Sequence, residues 1–231
     1  MKFVAKNVLM LSSLLVVSAV NADMLGSVDP SLGVDYYQTW TRGQSDWKKV
    51  FPRSYRGATA YVGARFCQNL GLELGYDMST RTKKDWSLSG GSTFFNAAVP
   101  STGLTGTTKV RRSGVHLDLL GFLPVADCFD LFASVGVGWV RNKIDVILST
   151  ASSSNQSSAL ASVFGKGRSV LRAGVGGSLM VNSMLGLRAK LGWESTSTLR
   201  VSGNDAFTSL GYRSKGWKDT TALSIGAFVK F

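Results

Sequence analysis

His116 and Asp118 stand two residues apart, the closest approach in this chain to a catalytic pairing. In an extended segment, residues two apart share a face. A carboxylate there can fix the tautomer of a neighbouring imidazole and leave its other nitrogen to act as a general base. The rest of such a site is missing. His116 is the only histidine among 231 residues, and no Ser or Cys near it carries the mark of a nucleophile. No His/Cys/Asp/Glu spacing suits a bound metal. The reading is a hydrogen-bonded interior histidine, with no catalytic residue, no metal ligand and no cofactor.

Other ionisable residues share the face of His116. Asp35, Arg65, Glu73, Asp77, Asp118, Arg172, Arg188, Lys190, Glu194 and Lys230 each occupy the polar phase of a segment whose other phase is apolar. Acidic and basic members balance. Buried unpaired charge is very costly, so the expectation is a network paired across a narrow interior. The functional alternative is a narrow path for ions.

Eight alternating segments position these residues: Leu32–Thr41, Gly57–Phe66, Leu70–Ser79, Arg112–Leu123, Leu131–Val140, Ser169–Val181, Leu185–Trp193 and Thr221–Phe231. In the last, Leu223, Ile225, Ala227, Val229 and Phe231 lie on one face and Ala222, Ser224, Gly226, Phe228 and Lys230 on the other. Segments of about ten residues with this period predict membrane-spanning strands of a barrel. The connections alternate in length. Cys67–Asn69, Pro124–Asp130 and Asn182–Met184 are short; residues 42–56, 80–111, 141–168 and 194–219 are long. Short turns on one rim and long loops on the other fit an up-and-down antiparallel barrel with extracellular loops and periplasmic termini. Trp40, Tyr76, Trp139, Trp193 and Trp217 fall at strand ends beside the long loops, and Phe66, Phe122 and Phe231 near the short turns. This predicts an aromatic girdle at each interface.

The amino terminus agrees. Lys2 and Lys6 precede an apolar run from Val8 to Val20, closed by the small residues of Val20-Asn21-Ala22. This is read as a secretory signal peptide, residues 1–22, removed to leave a barrel domain of residues 23–231. Export permits a disulfide between Cys67 and Cys128 if their two turns lean together. It also removes nucleic acid as the partner for a formal charge of +12. The excess positive charge lies in the long connections, at Lys48, Lys49, Lys83, Lys84, Arg111, Arg112, Arg141 and Lys143. These are candidates to face lipopolysaccharide phosphates. Uncharged tips such as Ser152–Ser158 lie between such bases.

The chain resembles the OmpA-type (OmpA/OmpX-like) small outer-membrane β-barrels. The resemblance rests on Leu70-Gly71-Leu72-Glu73-Leu74-Gly75-Tyr76, on Leu131-Phe132-Ala133-Ser134-Val135-Gly136-Val137-Gly138-Trp139, and on the final strand. It implies that Phe231 is the signal read by the barrel-assembly machinery. It further implies a monomer in contact with outer-membrane lipid and lipopolysaccharide, with host surface molecules as further partners. No Pro-rich linker or peptidoglycan-binding domain is expected after the barrel. The function expected is structural and surface-interacting: membrane integrity, adhesion or lipopolysaccharide contact. A porin-like channel is the alternative, and a lipid-active enzyme a distant third.

Overall fold

The computed structural model describes residues 28–43, 45–94, 97–99, 101–149, 157–164, 168–195 and 217–231. The expected signal peptide and its cleavage site lie outside the described residues, as does the stretch 152–156 of the Ser-rich tip.

Strands form where apolar and polar side chains alternate, because the period of two presents one kind to each face of a sheet. Twelve are found among the described residues: β1 (Asp29–Gly43), β2 (Ser54–Cys67), β3 (Leu70–Ser79), β4 (Thr82–Leu88), β5 (Thr93–Phe94), β6 (Ala97–Ala98), β7 (Leu104–Ala126), β8 (Phe129–Ser149), β9 (Ser157–Phe164), β10 (Arg168–Met180), β11 (Leu185–Glu194) and β12 (Trp217–Lys230). A short helix, α1 (Ser45–Val50), follows β1. No helix among the described residues is long and apolar enough to cross a membrane.

Eight strands close a ring. In order around it stand β1, β2, β3, β7, β8, β10, β11 and β12, each antiparallel to both neighbours. Closure comes from β1 against β12, with Ser31 opposite Lys230 and Trp40 opposite Thr221. Both ends of the ring's chain therefore emerge at one rim. Closing the ring leaves no unpaired edge in the wall, as a lipid environment requires.

The outward phase is apolar. Val34, Tyr36, Val115, Leu117, Leu119, Val135, Val137, Leu171, Val175, Leu187, Leu191 and Ile225 are all exposed. An aromatic ring lies at the end of this belt. Trp193 and Trp40 flank Thr221 of β12 on either side, and Tyr76 and Trp139 flank Val115 of β7. Phe66 and Phe231 are exposed at the other rim. Phe122, expected beside them, instead points inward. It shares the phase of buried Leu120, and its ring lies 6.1 Å from that of Phe132.

Two expected loops are shorter than the spacing predicted. Much of 80–111 is strand, as β4 and the first part of β7, and 141–149 extends β8. β7 and β8 stay paired from Thr105–Ser149 down to Ala126–Phe129, forming an arm that rises beyond the ring. β4 adds to one edge of this arm and β9 to the other. The alternation continues there with its sense reversed. Val110, Ile144 and Val146 are buried on the inner phase, while Lys109, Arg111, Arg141 and Lys143 occupy the outer one. A search for apolar-outward segments stops where the membrane does. Val50 at the end of α1, Phe51 after it, Tyr55 of β2, and Trp86 and Leu88 of β4 pack on the arm's inner phase as one apolar cluster.

Candidate functional site

Alternation puts the polar phase of every ring strand inside, so the interior is where side chains from distant segments meet. It is organised in layers. At the terminal rim a cavity of about 510 Å³ opens outward. Arg65 reaches Asp130 across it at 2.8 Å and lies 4.4 Å from the centre of the Phe122 ring. Lys230 pairs with Asp29 at 2.5 Å. Above this mouth, Tyr61, Leu120 and Phe132 are buried as an apolar layer.

The charged band comes next. Arg188 of β11 holds Asp35 of β1 through Nε at 2.9 Å and Nη2 at 2.6 Å, and also donates to Glu73 of β3. Its guanidinium stacks 3.4 Å from the centre of the Tyr61 ring. Lys190 donates to Asp118 at 2.9 Å. Arg172 of β10 joins Asp77 at 2.8 Å, Glu194 at 3.1 Å and Asp118 at 3.5 Å. Arg112 donates to Glu194. Thr59 donates to the second oxygen of Asp77 at 2.5 Å. Ion pairs thus join β1, β3, β7, β10 and β11 through the lumen. Two glycines make room: a Cβ on Gly75 would run into the His116 ring, and one on Gly226 into the Asp35 carboxylate.

His116 is the centre of the band. Its Nδ1 lies 3.1 Å from Asp77 and its Nε2 3.7 Å from Glu73. Both ring nitrogens face carboxylates, and the residue is 2% exposed. Glu73, His116 and Asp118 each bring one ligand atom within 4.8 Å of the others. Arg188 already holds Glu73, while Lys190 and Arg172 hold Asp118, so the chemistry of this set is ion pairing. The band contains the carboxylates of Asp35, Glu73, Asp77, Asp118 and Glu194 against the basic groups of Arg112, Arg172, Arg188 and Lys190. A protonated His116 would complete its neutrality.

Some expected members lie elsewhere. Arg65 and Lys230 belong to the terminal mouth, beyond the apolar layer, and not to the band. Arg112, expected to face phosphate, turns inward because it shares the phase of Val110 and His116. Its outward neighbour is Arg111. Asp130 and Tyr61 were not anticipated; counting in steps of two from Phe132 and from Thr59 would have placed both inside. Cys67 and Cys128 are exposed and unbridged. Cys67 sits at a register shift at the end of β2 and Cys128 in the β7–β8 turn.

The remaining cations lie on the opposite rim. Lys48 and Lys49 are exposed in the last turn of α1. Lys83 pairs with Asp85 at 3.3 Å, and Arg81 with Asp145 at 2.5 Å. Lys84 donates to the carbonyls of Lys48 and Phe51; burial and then the nearby Arg53 lower its pKa. A hydrogen bond from Thr107 holds the Asp85 carboxyl below its ordinary value. Arg111, Arg141 and Lys143 are exposed on the arm's outer face.

The family description "OmpA-like transmembrane domain" matches residues 32–217. Among solved structures, a major outer membrane protein from Thermus thermophilus is 14% identical, with 89% of this chain and 100% of that chain covered and a TM-score of 0.54. Neisserial surface protein A (NspA) is 13% identical over 87% of this chain and 97% of its own, at 0.50. Ail, the attachment invasion locus protein of Yersinia pestis, is 14% identical over 88% and 98%, at 0.49. No curated protein matches the chain.

Proposed function

The chain belongs to the OmpA-like transmembrane domain family of outer-membrane β-barrels, and from that premise we propose a structural and surface-interaction role, with the lumen closed and the basic outer rim as the working surface. The observation that carries this reading is the division of the charges. The lumen's ions are buried and paired with one another, whereas Lys48, Lys49, Arg111, Arg141 and Lys143 are exposed. Interior spaces beside the band measure about 50 and 70 Å³, small against the 510 Å³ mouth. Both His116 ring nitrogens face carboxylates, Asp77 at 3.1 Å and Glu73 at 3.7 Å, which favours a non-enzymatic role.

In this reading residues 1–22 are removed on export and the barrel, residues 23–231, stands as a monomer with both termini in the periplasm. Phe231, 69% exposed, is open to the assembly machinery. The rim cations meet lipopolysaccharide phosphates, and host surface molecules are further partners. The test is lipopolysaccharide retained by the purified barrel. Changing Lys48, Lys49, Lys83, Lys84, Arg111, Arg141 and Lys143 together to Ser is expected to strip most of it. Unchanged retention would overturn the surface reading.

A further inference from the structure

Below the rim, on the outside of the wall, the rising arm overhangs β1–β3. Between them runs a groove of about 700 Å³. Its floor is apolar: Tyr36, Ala58 and Met78 are register partners on β1, β2 and β3. Its depth comes from β2, which offers only Gly57 and Ala58 there. Its roof is basic, formed by Arg111 and Lys143, a cross-strand pair on the arm's outer face. Arg81 ties the end of β3 to the arm through Asp145 at 2.5 Å.

Arg111 is poorly matched by what it touches. Its Nη2 is directed at the Met78 sulfur, 3.0 Å away, and it has no carboxylate partner among the described residues. A thioether is a weak acceptor, whereas a guanidinium is suited to two oxygens of a phosphate. The height agrees. Met78 lies two residues beyond Tyr76 of the aromatic ring, roughly 7 Å along the strand. That is the depth of the headgroup layer, which occupies about 5–7 Å on each side of the hydrocarbon.

We infer that this groove seats one phosphorylated, acyl-bearing glycolipid of the outer leaflet, with Arg111 and Lys143 on its phosphate and Tyr36, Ala58 and Met78 along its acyl chain. The inference rests on the surface reading above and narrows it from a rim to a site. An acyl chain alone would leave the roof unused, and a free phosphate would leave the floor unused.

The test titrates the detergent-solubilised barrel with bisphosphorylated lipid A, with the same lipid stripped of phosphate, and with inorganic phosphate, reading bound lipid by native mass spectrometry. Arg111→Ser with Lys143→Ser should weaken lipid A binding roughly thirty-fold, the worth of two cations beside a lipid phosphate. Ala58→Trp fills the floor without altering charge and should weaken it too. Lys48→Ser with Lys49→Ser, on the rim but outside the groove, should weaken it less than the Arg111/Lys143 variant does. Inorganic phosphate should not compete, and dephosphorylated lipid should bind no better than the double variant binds lipid A. Heat-modifiable migration confirms that each variant is folded. Equal loss in the Lys48/Lys49 variant, or none in the Arg111/Lys143 and Ala58 variants, overturns the groove and leaves a diffuse basic rim standing. Failure of the unaltered barrel to bind lipid A at all overturns the rim reading as well.

Discussion

β7 and β8 pass through two environments, and apolar and charged residues exchange faces between them. In the ring, Val115, Leu117 and Leu119 face outward while His116 and Asp118 face inward. In the arm, Lys109 and Arg111 face outward while Thr108 and Val110 are wholly buried. One pairing register runs through both, so the backbone does not distinguish them. Solvent does. Lipid around the ring takes the apolar side chains and forces the charges to satisfy one another within. Water around the arm takes the charges, and the apolar cluster under α1 and β4 forms inside. On the proposed reading the lumen is closed twice, by ion pairs and then by an apolar cap. The cations on the arm's outer face stay exposed.

This contrast can be broken at either end. The largest effect is expected in the band. Arg188→Leu strands Asp35 and Glu73 in a buried site and should lower unfolding stability by about 3–5 kcal/mol, read from urea unfolding in bilayers. Adding Asp35→Asn and Glu73→Gln should recover most of it, since the loss is that of unpaired charge. Ile144→Ala in the cap should cost about 2–4 kcal/mol by leaving a cavity. Leu117→Arg on the lipid face should cost about 2–4 kcal/mol near mid-membrane, whereas its neighbour by phase on the arm is already Arg111. The smallest effects lie on the exposed arm. Arg81→Ser should change stability by less than about 1 kcal/mol. Asp85 has a lowered folded pKa, so its contribution is present at neutral pH and fades as pH falls through the carboxylate range. Asp85→Asn should differ slightly from the unaltered protein at pH 7, and the difference should vanish once acid has protonated the carboxyl.

The ring was legible because lipid imposes one strict rule on each strand: apolar out, polar in. Asp35, Glu73, Asp77, His116, Asp118, Arg172, Arg188, Lys190 and Glu194 follow from parity alone, and the structure brings them together. Their partners did not follow, because which strands face one another across a lumen depends on tilt and on side-chain reach. Arg65 and Lys230 show this, since they share the inward phase but lie a layer away. Arg112 was lost for a different reason. It sits where the apolar phase changes sides, and an outward-apolar template has nothing to match beyond Ser113. The arm itself, rich in Thr and Val but polar outside, reads as loop by the same template.

The central claim is that the interior holds the barrel shut. Conductance of the refolded barrel, residues 23–231, in a planar bilayer tests it most directly. The account predicts a folded, heat-modifiable protein that stays electrically silent. Stable and reproducible openings would contradict it and make the Asp35–Arg188–Glu73 band the lining of a pore.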